Sequence, residues 1–178
     1  LQQDFKQPAP NLVWVNDITY IRVKDAFHYV CIIIDLFARR FIAHMVSNRI
    51  DTALVRSTFD FAFEIRNRPE GLTFHSDQGF QYTDFNFRKH LRNLKVVQSF
   101  SNPGTPLDNA VAKSFFACMK REELSHNLYE THEQLEADVA EYVDYYNRLR
   151  PYQKLGMRTP IEVEDDFWTK QAVELAYQ

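Results

Sequence analysis

Val13-Trp14-Val15-Asn16-Asp17-Ile18-Thr19-Tyr20-Ile21-Arg22-Val23 is followed at once by two more runs of the same character, 27–35 (FHYVCIIID) and 40–47 (RFIAHMVS). All three are rich in β-branched and aromatic residues, the side chains that fit a pleated surface. Run 27–35 is almost continuously apolar, as a strand buried on both faces should be. The breaks between them are a few residues long. Parallel pairs need a crossover of about a dozen residues or more, so close spacing predicts an antiparallel meander.

Beyond the meander the pattern changes. Asp51 is placed to cap a helix over about 52–66, with Val55, Phe59 and Ala62 on one face. A short strand follows at 71–75 (GLTFH), a helix at 83–93, a strand at 95–99 (KVVQS) and a loop at 101–105 (SNPGT). A helix over about 107–123 and another beginning at Thr131 close the pattern. Thr131 and Gln134 fit a capping box, and Leu135, Val139, Tyr142, Tyr146 and Leu149 make an apolar stripe. After Pro151 the periodicity weakens. Strands alternating with helices predict an α/β domain with a mixed sheet of about five strands, flanked by helices.

The chain has 178 residues, enough for one domain, and 15 Phe and 9 Tyr supply ample core volume. Four glycines argue against a glycine-loop nucleotide binder. The longest apolar run, 29–34, is far short of the ~18 residues a membrane span needs. Cys31 and Cys118 stand apart without metal-ligand spacing, which suits a reducing cytoplasm. Lys and Arg number 21 against 24 Asp and Glu, for a net charge of −3, so any contact with nucleic acid must come from local patches. Residues 1–10 (LQQDFKQPAP) read as a linker, and the absence of an initiator Met marks the chain as an expected piece of a longer protein.

Asp17 lies inside the first strand, where a carboxylate is costly unless paired or bound to a cation. Asp77 follows the strand GLTFH in His75-Ser76-Asp77-Gln78-Gly79, at the carboxyl end of a strand, where ligands gather in α/β sheets. Gly79 allows close backbone approach. Two carboxylates from neighbouring segments could hold one hard divalent cation. Taken singly, Asp17 also reads as a strand-edge cap, Asp77 as a turn former and His75 as a satisfied structural histidine. Asn109, Lys113 and Lys120 fall within roughly 40° of one another around a helix, opposite an apolar face of Val111, Phe115 and Cys118. An ordinary solvated face is the other reading.

Five ordered segments then carry a resemblance: 13–20 (VWVNDITY), 34–40 (IDLFARR), 75–79 (HSDQG), 108–112 (DNAVA) and 145–151 (YYNRLRP). Together they resemble bacterial insertion-sequence transposases with a retroviral-integrase-type catalytic core, over about residues 12–162. The resemblance implies an RNase H-like fold, with three antiparallel strands followed by two parallel ones, and a DDE triad. Asp17 matches the first acid and Asp77 the second. The third follows an interval of 35 residues; 78–112 is that interval here, and the next residue is Lys113, not Glu. Tyr152 stands where the family usually has His.

The resemblance further implies Mg²⁺ or Mn²⁺ in a two-metal site, DNA element ends and target DNA as partners, a homo-oligomer, and a bacterial cytoplasmic, nucleoid-associated location. Lys113 removes one oxygen ligand and adds a repulsive charge. A unit charge pair at 4 Å is worth roughly 4 kcal/mol at an effective dielectric of 20, and each ~1.4 kcal/mol is tenfold in rate. Metal occupancy is therefore expected to be incomplete and catalysis lost or weak, with the Lys113 ammonium neutralising Asp17 and Asp77. Glu122 and Glu123 lie more than ~10 Å further along the helix and cannot stand in. Expected phosphate contacts are Asn109, Lys120, Arg88, Lys89, Arg92, Arg148 and Arg150. The domain expectation is a core over 11–150 and a C-terminal extension over 151–178. The alternative function is a non-catalytic DNA-binding or dimerisation module on the same fold; a resolvase or RNase H-type nuclease is disfavoured by HSDQG and DNA.

Overall fold

A computed structural model describes residues 6–102 and 110–177. Its centre is a five-stranded sheet in the order β3-β2-β1-β4-β5. Strands β1 (Val13–Val23), β2 (Ala26–Asp35) and β3 (Arg40–Ser47) form the antiparallel meander; β4 (Thr73–Ser76) and β5 (Val97–Phe100) add in parallel beside β1. The mixed architecture read from the sequence is therefore the observed one.

Alternation along β2 explains how its apolar run is used. Val30, Ile32 and Ile34 face one core, and Cys31 and Ile33 face the other. The first core is closed by α4 (Ala110–Met119), a π-helical turn over Lys120–Leu124, and α5 (His132–Arg148). The second is closed by α1 (Thr52–Ile65), the short α2 (Phe80–Thr83) and α3 (Phe85–Asn93). Trp14, Phe59, Phe63, Phe74 and Phe87 meet there in edge-on, tilted and stacked contacts. Such pairs add about 0.5–1.5 kcal/mol each beyond burial.

Several boundaries shift for local reasons. Strand β4 starts two residues later than expected because Gly71 takes a left-handed φ of 70°. Lys95, at φ 59°, delays β5 in the same way. The helix expected over 83–93 begins at Phe85, with the separate turn α2 before it, because Asp84 adopts extended backbone and accepts from the Phe87 amide, capping α3. In α4 the buried residues are Ala112, Phe115, Phe116 and Met119, so the apolar face is rotated from the expected Val111–Phe115–Cys118 line. A last helix, α6 (Pro160–Ala176), was not legible as periodicity. It is held through Glu164, 1% exposed, which pairs with Arg66 and Arg40, and through Phe167 against Phe37.

Asn147 links two layers. Its side chain accepts from the Phe41 amide at 2.9 Å and donates to the Phe41 carbonyl at 3.0 Å, so α5 is pinned to the start of β3 by both halves of one carboxamide.

Candidate active site

The last paired positions of β1 and β4 are Val15 and His75. Asp17 and Asp77 each stand two residues further on. Asp17 continues β1 on the sheet face that carries Val15, and Asp77 is the first residue past the end of β4, so the two aspartates follow the same paired level of neighbouring parallel strands. That face is the one covered by α4. Lys113 follows the buried Ala112 on α4 and is itself exposed.

Electrostatics report the convergence. Burial pushes the Asp17 carboxyl up to about 6, and Asp77 adds to the rise. The Ile18 amide, donating to Asp17 Oδ1 at 2.9 Å, and the Lys113 ammonium both favour the charged form. Asp77 and Lys113 thus both bear on the charge of Asp17, with opposite signs. Beneath them Tyr82 is fully buried, and burial together with Cys31, Asp17 and Asp77 keeps its hydroxyl protonated.

The loop after β4 is shaped to hold Asp77. Asp77 Oδ1 accepts from the Gly79 amide at 2.9 Å, and a Cβ on Gly79 would collide with the Gln81 side chain. Gln78 donates to the Ser101 carbonyl. His75 is buried, with Nδ1 at 3.0 Å from Ser99 Oγ and Nε2 at 3.2 Å from Ser101 Oγ. It ties the ends of β4 and β5 together and has no ring nitrogen left for a cation.

The remaining sequence-predicted residues are spread more widely. Arg88, Lys89 and Arg92 lie exposed on α3, which packs on the opposite face of the sheet from α4. Lys120 opens the π-helical turn and lies over the Tyr20 ring. Arg148 pairs with Asp144, and Arg150 makes a bidentate pair with Glu122 at 2.7 and 2.9 Å. Phosphate contact by either must compete with a carboxylate already in place. Glu122 also accepts from Tyr142, a second reason it cannot act as the third acid. Asn109 lies outside the described residues. The sequence reading missed Asn147 and Tyr82; a polar residue inside the apolar stripe of α5 was the signal for the first.

Two carboxylates fit one hard cation, since Mg²⁺ is often held by one or two carboxylates with substrate phosphate completing the shell. They do not fit a pair of ions, because the third position offers an ammonium. No group of three His, Cys, Asp or Glu side chains suited to a metal gathers among the described residues.

Comparisons with known proteins bear on the family and the fold. Residues 7–106 match a family described as "Integrase core domain", and residues 94–160 match a second with the same description. The transposase for insertion sequence element IS904 of Lactococcus lactis subsp. lactis (strain IL1403) is 35% identical over 165 residues, covering 92% of this chain and 65% of the relative. The putative transposase InsK for IS150 of Escherichia coli (strain K12) is 38% identical over 162 residues, 91% and 57% of the two chains. The chain thus spans about three fifths of the length of these relatives. Among solved structures, a chain of the simian T-cell lymphotropic virus intasome in complex with PP2A regulatory subunit B56 gamma superposes with a TM-score of 0.76 at 16% identity, over 89% of this chain and 56% of that one. The HTLV-2 integrase catalytic core domain, in complex with magnesium, gives 0.68 at 14% identity, over 88% and 98%. These establish the RNase H-like fold of integrase catalytic cores.

Proposed function

Because the chain belongs to the integrase core domain family, we propose that it is the catalytic core of a transposase that cuts and joins DNA strands with a divalent metal, impaired by Lys113. The observation that supports this reading is that Asp17 and Asp77 each stand two residues past the paired Val15 and His75, with Lys113 acting on Asp17.

Asp17 and Asp77 would hold one Mg²⁺ or Mn²⁺ through oxygen. When bound, the cation supplies Lewis-acid polarisation of a phosphoryl oxygen. The chain's own part is positional. Strand β1 and the Gly79 turn hold the two carboxylates. Lys113 offsets the mutual repulsion of the two acids and competes with the cation for them.

DNA is the proposed substrate, both element ends and target. Lys120, Asn109, Arg88, Lys89, Arg92, Arg148 and Arg150 are its proposed phosphate contacts, which position a duplex without reading sequence. Residues 11–150 form the proposed core and 151–178 an extension. The working form is proposed to be a homo-oligomer in the bacterial cytoplasm, at the nucleoid; no helix among the described residues is long and apolar enough to cross a membrane.

A second reading, a non-catalytic DNA-binding or dimerisation module, is favoured by Lys113 itself. Strand-cleavage and strand-transfer assays on oligonucleotide ends, with Mg²⁺ and Mn²⁺, separate the two. Lys113→Glu is expected to gain at least about a hundredfold, following the several kcal/mol at stake, and Asp17→Asn in that background to lose it. Activity that ignores either substitution overturns the assignment. Inactivity of Lys113→Glu that nevertheless binds Mn²⁺ and DNA supports the second reading.

A further inference from the structure

Strand β1 faces α4 and then the π-helical turn that continues it, and two side-chain pairs mark two levels along it. At the first, Lys113 acts on Asp17. At the second, Lys120 places Nζ 5.0 Å from the centroid of the Tyr20 ring. Seven helical residues rise ~10 Å and three strand residues ~10 Å, so helix and strand keep step. From the second level a groove of about 480 Å³ opens between the β1–β2 hairpin and the segment after the π-helical turn.

The chemistry of the groove is specific. Tyr20 and Phe27 are 59% and 52% exposed, with their rings edge to face at 5.2 Å. Exposed aromatic rings of this kind offer faces on which a flat ligand can stack. Arg22, Lys24 and Lys120 line the same groove, against one carboxylate, Glu130, among the described residues. This is a cationic patch on a chain whose net charge is −3. Burial holds the Lys120 ammonium below its ordinary pKa, a cost that an adjacent anion would remove. A second groove, of about 570 Å³, is lined by Glu122, Glu123, Glu141 and Asp144 and has the wrong sign for a nucleic acid.

A ligand that offers flat faces and regularly spaced negative charge is an unpaired nucleic-acid strand. Exposed aromatics stack its bases, and cations beside them meet its phosphates. We propose that the Tyr20–Phe27 groove is a stacking platform for unpaired nucleotides of a DNA strand whose phosphates meet Lys120, Arg22 and Lys24. It lies about three stacked base steps, at ~3.4 Å each, from Asp17. The platform rests on the DNA-processing reading above. It adds that the strand leaving the acidic site is held single-stranded, its bases splayed onto the hairpin.

The test uses the whole chain with oligonucleotides of about twelve nucleotides, within the usual site size of such platforms. Each carries 2-aminopurine at one position, as a free single strand, as a 3′ overhang, or inside a blunt duplex. Single strand and overhang are expected to lose 2-aminopurine fluorescence on binding. Tyr20→Leu and Phe27→Leu, which keep apolar volume at half-exposed positions, are expected to weaken single-strand and overhang binding about five- to hundredfold and to abolish the quenching. Duplex affinity and melting temperature should stay unchanged. Arg22→Gln should weaken every form equally. Unchanged single-strand affinity in both aromatic variants, or equal losses on single strand and duplex, would overturn the platform while leaving DNA binding intact. A chain that binds no DNA in any form at low salt overturns both. Displacement of the single strand by an apolar peptide, with no dependence on phosphate, would assign the groove to a protein partner instead.

Discussion

Lys113 on α4 acts on the carboxylate of Asp17 on β1, favouring its ionised form, while Asp77, just past the end of β4, opposes it. Two residues far from Asp17 in sequence thus bear on its charge with opposite signs.

Exchanging that ammonium for a carboxylate should invert the response to metal. Without metal, Lys113→Glu is expected to melt below the parent chain, since three acids then repel. With Mn²⁺ at about a hundred times its dissociation constant, binding contributes ~2.7 kcal/mol, or about 5–10 °C for a chain of this size. Melting curves with and without Mn²⁺ check this, and an equal metal response in both proteins would remove Lys113 from the site.

Asn147→Leu should be strongly destabilising although it adds apolar surface. It leaves the Phe41 N–H and C=O without their partner, and each stranded buried group costs about 1–3 kcal/mol. Urea unfolding should show a loss of about 2–4 kcal/mol. A loss below about 1 kcal/mol would mean that water replaces the carboxamide.

Glu164→Gln should release α6. Burial alone would raise this carboxyl, but Arg66 and Arg40 outweigh it and hold it low. Removing one partner of a buried ion pair costs about 3–5 kcal/mol. Limited proteolysis is expected to cut within 150–159 in the variant and not in the parent; equal protection would show that Phe167 against Phe37 suffices.

Asp35 should give stability an acid-favouring slope. Its carboxyl accepts from the Asn11 and Phe37 amides at 2.6 and 2.9 Å, yet burial still pushes it up to about 6. The folded chain then binds this proton more tightly than the unfolded one, whose pKa is about 3.9. Between about pH 4 and 6 the folded state holds more protons, so stability falls as pH rises and levels off above about 6. Denaturation of parent and Asp35→Asn across this range should show the parent losing up to ~3 kcal/mol relative to the variant. A constant difference would mean that the carboxylate is as well solvated folded as unfolded.

Local signals in the sequence were read correctly where a few adjacent residues decide the outcome. The bounds of β1 and β3, the Asp51 cap and the Thr131–Gln134 capping box are of this kind. Helix α6 has an equally local start signal, a second capping box at Thr159 and Glu162 with Pro160 between. It was passed over because its buried residues are Pro160 and the charged Glu164, and no hydrophobic period marks a helix docked by an ion pair. The break at Asp84 was missed for the converse reason: an aspartate within a helical pattern reads equally as interior or cap until its backbone is seen.

From the order of its residues alone, the chain determined its alternating elements, because periodicity and capping are properties of neighbours, and motif spacing offered Asp17, Asp77 and Lys113 as candidates. Only the tertiary structure decided that Asp17 and Asp77 each follow a paired position of neighbouring strands, that Lys113 bears on the charge of Asp17 and that Glu122 is committed to Arg150. Parallel pairing of β1 with β4 brings together strands some sixty residues apart, and a desolvated charge answers to whatever the fold sets beside it.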